Sequence, residues 1–291
     1  MIKLTYIWHD CFVFESSRLA IIFDYWKDVT SAPRDVPDFI KHIEKTKRVY
    51  VVVSHHHKDH YTKDIFDWSN IFPDIKYMLS KDVAKYARHI LRKDSIYKGT
   101  KPSPDSVTVL GPGDTYADEY ISIKAYGSTD IGNSYVVATE ADTLFHAGDL
   151  NAWIWKDEST EEEIRTALVS FDIILSTIAE DYPSIDIAMF PVDSRIGSGY
   201  YTGAKIFVRK INVKYFFPMH FGLGNTKEEQ QKYQRDAADI DKYANKERGE
   251  YICLQSPYAV FAKSPTHTNQ ELQAPACELT LENLSHNPDK T

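Results

Sequence analysis

The sequence has few cysteines, and their placement limits how it could hold a metal ion. Cys11, Cys253 and Cys277 are widely separated and form no CxxC pair. They indicate neither a disulfide framework nor a thiolate zinc knuckle. Any bound metal must therefore be held by histidine and carboxylate side chains.

The sequence also lacks a long apolar run. No stretch of about 18 consecutive apolar residues is present, so no transmembrane helix is predicted. Residues 1–6 lack the basic, apolar and small-residue regions of a secretory signal. These features predict a cytoplasmic protein with no membrane partner.

An excess of positive charge is absent as well, because the formal net charge is −8 at pH 7. Nucleic-acid affinity depends largely on Lys and Arg neutralising phosphates, so general nucleic-acid binding is not expected. A small-molecule substrate, including a phosphorylated one, is compatible with this charge, since it needs only one local cation or metal ion. A homo-oligomer is equally compatible with it.

The length and composition are sufficient for one large domain. The 291 residues are 43% hydrophobic and can bury a substantial core without a division into two small domains. Short β-branched and aromatic runs alternate with polar amphipathic segments, which is typical of an α/β domain. We predict one domain over residues 1–263, followed by an Asn-, Gln-, Glu- and Pro-rich extension or tail over residues 264–291.

Periodicity and turn residues predict many short strands and five helices. The predicted strands cover residues 3–14, 19–23, 48–53, 76–79, 106–110, 120–125, 134–139, 143–146, 185–190, 215–217 and 251–262. The predicted helices cover residues 36–45, 81–92, 161–176, 203–210 and 228–246. His89 lies within the second of these helices and is interpreted as an ordinary helix residue.

The densest group of metal-binding side chains follows an apolar strand, in the segment VVVSHHHKDH at residues 51–60. Residues two apart on an extended chain face the same side, so His55 and His57 can share one metal while His56 points away. Asp59 and His60, past the bend, can reach a second metal. The alternative is an exposed histidine-rich loop that binds metal adventitiously.

Two later segments repeat this arrangement of an apolar run that ends in a metal-binding side chain. The run TLFHAGD at residues 143–149 ends at Asp149, and the run YFFPMHFG at residues 215–222 contains His220. A rigid strand followed by a turn is a suitable place for a site, because the strand fixes the backbone. For His220, a core histidine at a strand end is the alternative.

The HxHxDH pattern, with the later Gly-Asp and His motifs, resembles the metallo-β-lactamase superfamily over residues 1–263. Within it, the likeness is to the zinc-dependent hydrolase branch that includes the ascorbate-6-phosphate lactonase-like proteins. The resemblance implies the metallo-β-lactamase fold, an α/β four-layer αββα sandwich of two mixed sheets flanked by helices.

The resemblance also implies a set of metal ligands, which is His55, His57, Asp59, His60, Asp149 and His220. In the superfamily the Asp of the Gly-Asp motif bridges two metals, and this gives Asp149 that role. Asp59 additionally orients a hydroxide or shuttles a proton, so these two are the expected catalytic residues. The expected cofactor is one or two zinc ions, with manganese or iron as alternatives.

One motif departs from the family pattern. Where relatives place a further histidine, residues 126–132 read YGSTDIG, so the third nitrogen ligand of the first site is absent. Ser128 and Asp130 are the candidates to replace it, directly or through water. A hydroxyl is a poor zinc ligand and a carboxylate changes the preferred metal. We therefore expect this site to bind weakly, to hold another metal, or to stay empty.

Other polar residues near these motifs are candidates to support the site. Asp24 is predicted to accept a hydrogen bond from a ligating imidazole, with a simple turn residue as the alternative. His146 is predicted either to pack in the core or to support a ligand. Arg195, in the Gly- and Tyr-rich loop 193–203, is predicted to face the substrate and bind an anion, with a plain connecting loop as the alternative.

The leading functional hypothesis is hydrolysis of an ester-like bond in a small molecule, a lactone or a phosphodiester, by a metal-bound hydroxide. A non-catalytic or single-metal binding and regulatory module of the same fold is the alternative, because the third histidine is missing. Di-iron flavin-linked redox proteins share the outline of the fold but place a Glu where His57 stands, so this class is disfavoured.

Overall fold

Two seven-stranded β-sheets pack against one another in a computed structural model of the chain, which describes residues 1–30 and 36–265. Numbered in chain order and given in order of pairing, the first sheet contains β14 (Val260–Lys263), β1 (Ile2–Trp8), β2 (Cys11–Glu15), β3 (Leu19–Phe23), β4 (Arg48–Val53), β5 (Lys76–Ser80) and β6 (Val107–Leu110). The second contains β13 (Glu250–Tyr251), β12 (Asn212–Met219), β11 (Ser184–Pro191), β10 (Thr143–His146), β9 (Ser134–Thr139), β8 (Ile121–Tyr126) and β7 (Thr115–Ala117).

Both sheets are mixed, and both follow the same scheme. In the first sheet the pairs from β14 to β3 are antiparallel and those from β3 to β6 are parallel. In the second, the pairs from β7 to β10 are antiparallel and those from β10 to β13 are parallel. The predicted arrangement of two mixed sheets flanked by helices is therefore confirmed.

Alternation along the strands divides the apolar side chains between two core layers. On β3, Leu19, Ile21 and Phe23 point into the layer between the sheets, whereas Ala20 and Ile22 face the helices outside. Every residue of this strand is buried, which explains a continuous apolar run in place of a polar alternation. Burial on both faces holds the strand ends in fixed positions.

Six α-helices in residues 1–30 and 36–265 flank the sheets. They are α1 (Asp38–His42), α2 (Lys81–Tyr86), α3 (Arg88–Leu91), α4 (Glu161–Asp181), α5 (Thr202–Lys210) and α6 (Lys227–Ala238). Capping boxes fix the starts of α4 and α6, where Thr160 and Thr226 accept hydrogen bonds from the backbone N–H three residues on. No helix in the described part of the chain is both long and apolar enough to cross a membrane.

Several predicted boundaries were wrong. Helix α4 runs to Asp181 in place of residue 176, because apolar residues such as Ile178 continue its buried face. The helix predicted over 81–92 is two short helices separated at Ala87, and that predicted over 228–246 ends at Ala238. The strand predicted over 251–262 is two strands, β13 and β14, which belong to different sheets.

The most consequential error concerns the strand predicted over residues 3–14. This segment is a hairpin in which Trp8 pairs with Cys11, and His9 and Asp10 form the turn. The sequence offers no Gly, Asn or Pro at this turn, so the usual hairpin signal is missing. His9 itself adopts the positive φ of 57° that the turn requires.

The predicted tail from residue 264 lies outside the described residues, apart from its first two positions. The single-domain boundary at residue 263 coincides with the end of β14, which pairs with β1. The last described strand therefore returns to the edge of the first sheet, beside the N-terminal strand.

Gly148→Ala should destabilise the fold, because Gly148 has φ +51° and an added Cβ would lie 2.7 Å from Ser54 Cβ and 2.8 Å from the Asn133 carbonyl oxygen. Gly113→Ala is the matched control, since Gly113 has φ +89° with open space around it. We expect Gly113→Ala to cost about 1–2 kcal/mol from the backbone alone. Gly148→Ala should cost about 1–3 kcal/mol more from overpacking. Equal losses in urea unfolding would contradict this account.

Candidate metal centre

The candidate metal centre lies at one edge of the two sheets, where several strands reach their carboxyl ends. The residues that follow these strands are His9 after β1, Asp24 after β3, His55 after β4, Asp149 after β10, Asp193 after β11 and His220 after β12. Loops at the carboxyl ends of strands are where α/β sheets place ligands. Burial of the strands therefore brings residues distant in sequence to one position.

Two groups of potential ligands lie side by side. The first group contains His55, His57 and Asp149, and the second contains His9, Asp59, His60 and His220. Within each group the ligand atoms lie within 4.8 Å of one another. The structure thus brings together all six side chains that the sequence predicted as ligands, and it adds His9.

The carboxylate of Asp149 lies between the two groups. Its Oδ2 atom lies 3.2 Å from His55 Nε2, and its Oδ1 atom lies 3.2 Å from both His60 Nε2 and His220 Nε2. The two oxygens of one carboxylate therefore face the two groups separately. This is the arrangement expected of a carboxylate that bridges two metal ions.

The facing atoms fit bound cations because they are buried and otherwise unpaired. Among the residues described, no well-formed hydrogen bond reaches His9 Nε2, Asp10 Oδ1, Asp10 Oδ2, His55 Nε2, His60 Nε2, Asp149 Oδ1 or His220 Nε2. Buried polar atoms normally have partners, so a cluster of orphaned atoms that face one another indicates a missing ligand. The donor set of imidazoles and carboxylates suits a divalent transition metal.

Asp24 orients the His60 ring through a hydrogen bond on the side of the ring away from the metal centre. Its Oδ2 accepts a hydrogen bond from His60 Nδ1 at 2.8 Å, and it also accepts from the Ser54 hydroxyl at 2.5 Å. With its proton at Nδ1, His60 presents the lone pair of Nε2 to the centre. This is the contact that the sequence predicted for Asp24.

Asp193 gives His220 the same orientation, and the sequence prediction missed this residue. Asp193 Oδ2 lies 2.8 Å from His220 Nδ1, while Arg195 binds both oxygens of Asp193 through Nε and Nη2. Arg195 Nη2 also lies 3.1 Å from His220 Nδ1, but both atoms are donors, so the carboxylate is the hydrogen-bond partner. Arg195 therefore anchors a carboxylate of the protein.

His55 completes this pattern through Ser54. The Ser54 hydroxyl donates to Asp24, so its oxygen is free to accept from His55 Nδ1 at 3.0 Å. His55 Nε2 then carries a lone pair that faces Asp149. His55, His60 and His220 are consequently all oriented as Nε2 ligands.

The first group is open on the side where the sequence lacks a histidine. The His57 side chain is 44% exposed, and its Nδ1 lies 3.8 Å from Asp130 Oδ2. The Ser128 hydroxyl instead accepts a hydrogen bond from the Asp130 backbone N–H at 3.3 Å. Of the two replacement candidates, Asp130 is thus the one that lies beside a predicted ligand.

His146 supports the turn next to the centre. Its Nδ1 accepts from the Gly148 N–H at 3.2 Å, so its Nε2–H donates to the Asp10 carbonyl oxygen at 2.9 Å. The ring stacks on Phe23 with its centroid 5.0 Å away. Both of its nitrogens are used, so His146 combines the packing and supporting roles that the sequence left open.

His9, Asp10 and Asp193 are the centre residues that the sequence prediction missed. For His9 and Asp10, the interpretation of residues 3–14 as one strand concealed the turn. The signal was nevertheless present, because His-Asp follows an apolar run in the same way that His55 does. Asp193 follows the strand that ends at Pro191 and could have been found by the same rule.

Backbone strain concentrates at this edge. Positive φ angles occur at His9 (57°), Asp24 (42°), Trp153 (45°) and His220 (67°). Each such conformation costs a non-glycine residue about 1–3 kcal/mol and persists only where the surroundings impose it. The backbone N–H of His220 donates to the His9 carbonyl at 3.3 Å, which links two of these strained residues.

The buried charges of the metal-free centre compensate one another. Burial raises the pKa of Asp149, but the imidazoles of His60 and His220 outweigh it and hold this pKa well below its usual range. Burial lowers the pKa of His220, but the carboxylates of Asp10 and Asp149 outweigh it and raise this pKa to about 10. The pKa of His60 is also raised, chiefly by Asp149 and Asp10 against the effect of burial.

A cavity of about 480 Å³ opens onto this centre. Its walls include Trp153, Trp155 and Ile196 on the apolar side, with Asp149 and His220 at the metal side. The Trp153 indole donates a hydrogen bond to the Asp149 carbonyl at 2.7 Å, and its ring lies 5.3 Å from that of His220. The loop after Asp149 therefore forms a wall of the cavity.

Metal binding should release protons, because His60 and His220 have raised pKa values and are protonated at pH 7 in the metal-free protein. A metal must displace these protons, so apparent affinity should rise with pH up to about 10, by about tenfold per pH unit for each displaced proton. Calorimetry in buffers of different ionisation enthalpy measures the number of protons released per protein on metal binding. We expect this number to be about two at pH 7. Binding without proton release would contradict the assignment.

Comparison with known proteins finds similarities in sequence and in structure. The sequence is 27% identical over 224 residues to a UPF0173 metal-dependent hydrolase of Pyrobaculum islandicum, covering 75% of this chain and 84% of that protein. The structure is similar to Igni18, a metallo hydrolase of Ignicoccus hospitalis, with a TM-score of 0.56 at 17% identity, covering 90% of this chain and 99% of the other.

A third similarity concerns the fold alone. CmlA, a diiron beta-hydroxylase of Streptomyces venezuelae, matches with a TM-score of 0.53 at 10% identity, covering 87% of this chain and 53% of CmlA. The family model described as "Beta-lactamase superfamily domain" matches residues 3–220, a span that includes all the predicted metal ligands. The chain therefore belongs to the beta-lactamase superfamily.

Proposed function

We propose that this protein is a metal-dependent hydrolase that cleaves an ester-like bond in a small molecule. The observation that carries the proposal is the position of the Asp149 carboxylate, whose two oxygens each face buried imidazole Nε2 atoms at 3.2 Å. A hydrolase of this kind needs two cations beside one substrate, and a shared carboxylate places them there. The name of the Pyrobaculum relative supports the same class.

The ligands would divide between two positions. His55, His57 and Asp149 would hold one cation, with Asp130 on the open side. Asp59, His60 and His220 would hold the other, together with the second oxygen of Asp149. When bound, such cations lower the pKa of a water molecule and polarise the bond under attack, so no Ser or Cys nucleophile is required.

Asp59 is suited to orient the attacking water. Burial raises its pKa, but the neighbouring His9 imidazole and the charge of His60 outweigh this and hold the pKa below its usual range. Asp59 therefore stays ionised at neutral pH, and its side chain is 26% exposed. An ionised carboxylate in that position accepts a hydrogen bond from water and aligns its lone pair.

The cavity favours an uncharged ester or lactone over a phosphodiester. Trp153, Trp155 and Ile196 provide apolar surface, whereas Arg195 is the cation among the cavity residues. Its guanidinium binds both oxygens of Asp193, which offsets its charge. Beyond the metal ions, a phosphodiester would gain from an unpaired cation in the cleft, and Lys156, which follows Trp155 in the sequence, is not among the residues that line this cavity.

Zinc is the proposed cofactor, as one or two ions, with manganese and iron as the alternatives. Imidazole nitrogens such as His55 Nε2 suit zinc, whereas the carboxylates of Asp59, Asp149 and Asp130 also suit manganese and iron. The proposed substrate is a small molecule, and no nucleic-acid or membrane partner is proposed. The cytoplasmic location expected from the sequence stays a prediction.

The exposed first group supports a second candidate, a single-metal binding module of the same fold. The first group has three ligands, and His57 among them is 44% exposed. The second group is buried and more complete, so it would fill first. Elemental analysis separates the two candidates, because one inert metal per chain supports the module and two metals with turnover support the hydrolase.

Asp149→Asn and His220→Ala should each abolish turnover in metal-replete protein while leaving the fold intact. Asp149→Asn removes the charge that faces both groups, and His220→Ala removes one Nε2 ligand. His89→Ala is the matched control, because His89 is exposed on α3 and distant in sequence from every ligand. Steady-state rates and circular dichroism measure the two effects. Full activity in both site variants would refute the proposal.

Substrate charge provides a further test of the cavity. We expect uncharged lactones and esters to be hydrolysed with a kcat/KM at least about tenfold above that of chromogenic phosphodiesters, which corresponds to about 1.4 kcal/mol. The physical reason is the lack of an unpaired cation among the cavity residues. A panel of both classes under the same metal conditions measures this ratio. A preference for the phosphodiester would contradict the argument from Arg195.

A further inference from the structure

The second metal position has one more candidate carboxylate, and it comes from the hairpin turn between β1 and β2. We infer that Asp10 is a ligand of the second metal position and that His9, beside it, is not a ligand. The inference rests on the metal centre proposed above and identifies which residues complete it. Asp10 lies outside both ligand groups, and the family motifs at residues 55–60, 149 and 220 do not include it.

Asp10 has the environment of a ligand. Its side chain is fully buried, and neither carboxylate oxygen forms a hydrogen bond with any residue in 1–30 or 36–265. Its Oδ2 lies 3.5 Å from His60 Nε2 and 4.0 Å from His220 Nε2. Two atoms bound to one ion at about 2.0–2.2 Å lie at most about 4.4 Å apart, so both separations are compatible with one shared ion.

A buried carboxylate needs a compensating charge. Removing a carboxylate from water without hydrogen bonds or a counterion is highly unfavourable. The hydrogen bonds that ordinarily satisfy such a group are missing at Asp10, although His60 and His220 find partners at Nδ1. The atoms that face Asp10 Oδ2 are Nε2 of His9, His60 and His220, at 3.1, 3.5 and 4.0 Å. A cation held by His60 and His220 would balance the Asp10 carboxylate once the protons on these two imidazoles have left.

His9 lies as close to the centre, but its hydrogen bonding excludes a ligand role. The Gly222 backbone N–H donates to His9 Nδ1 at 3.0 Å, so Nδ1 carries a lone pair. A neutral imidazole has one N–H, and that proton must therefore be on Nε2. An Nε2 that carries a proton cannot bind a metal. The opposite holds for His60 and His220, whose Nδ1 atoms donate to carboxylates.

His9 is instead a positioning residue for two carboxylates. Its Nε2 lies 3.1 Å from Asp10 Oδ2 and 3.5 Å from Asp59 Oδ2. With its proton on Nε2, His9 lies within reach of both oxygens and can orient the two carboxylates. The loop that contains Gly222 also contains His220. This loop therefore fixes the position of His9 relative to a proposed metal ligand. This gives the strained φ of 57° at His9 a function.

The inference changes the chemistry expected of the second position. With Asp10 included, its protein ligands are two imidazoles, His60 and His220, and three carboxylates, Asp10, Asp59 and Asp149. Such an oxygen-rich set favours manganese or iron relative to zinc, whereas a set with fewer carboxylates favours zinc. Asp10 would therefore shift the relative preference of this position toward the harder metals.

Two matched substitutions test the assignment, and both retain a side chain suited to its place. Asp10→Asn keeps the shape but removes the charge, and Asp10→Ala serves as a second variant because Asn retains one oxygen. His9→Asn keeps an acceptor near Gly222 and tolerates a positive φ, but lacks the Nε2–H. Metal content after dialysis against Mn²⁺ or Zn²⁺ is measured by mass spectrometry, and dissociation constants are measured by chelator competition.

We expect the dissociation constant of Mn²⁺ at the tighter-binding of the two metal positions to rise at least about 100-fold in the Asp10 variants, because a charged ligand is lost. His9→Asn should cost about 10-fold, as loss of a partner that orients ligands does. The ratio of the Mn²⁺ to the Zn²⁺ dissociation constant should rise in the Asp10 variants. The metal-induced increase in Tm should shrink in parallel.

The possible failures are distinguishable. Wild-type protein that binds neither metal would overturn both the proposed centre and this inference. Normal metal binding by both Asp10 variants would overturn the inference alone and leave the hydrolase proposal intact. A larger loss in His9→Asn than in Asp10→Asn would reverse the assignment and make His9 the ligand.

Discussion

Compensation of buried charge around one carboxylate is the constraint on which the centre depends. Asp149 lies at the junction of the two sheets, with imidazole nitrogens at 3.2 Å from each of its oxygens. Without cations, His60 and His220 take up protons and balance the carboxylates. With cations, those protons leave and the same atoms become ligands. The fold thus brings many ligand atoms close together. A bound metal can replace the protons that otherwise balance the charge of the carboxylates.

The roles of the histidines follow from their hydrogen bonds and not from their distances alone. His55, His60 and His220 each direct Nδ1 toward a serine or carboxylate oxygen, which leaves Nε2 for a metal. His9 and His146 accept a backbone N–H at Nδ1 and therefore carry the proton on Nε2. Two histidines at similar depth can therefore have opposite functions, and the neighbouring backbone decides which.

The sequence predicted those parts of the centre in which a single strand and its following loop contain the information. Residues 51–60 form such a unit, since alternation on the strand and the bend after it separate His55 from His60. Asp149 and His220 were predicted in the same way. The departure at residues 126–132 was also visible, and the structure places Asp130 beside His57 at 3.8 Å. Asp24 was identified from its position after an apolar strand, where proteins of the family that the sequence resembles carry an Asp.

The sequence by itself predicted the fold class, the six candidate ligands and the absence of a further histidine, through local periodicity and through motifs that resemble a known family. The tertiary structure alone decided that the His9–Asp10 turn reaches the other histidines and that Asp193 orients His220. These facts depend on contacts between residues distant in sequence, such as that of His9 with His220, and on the direction of single hydrogen bonds. Neither leaves a periodic trace in the chain, so packing of the two sheets must supply them.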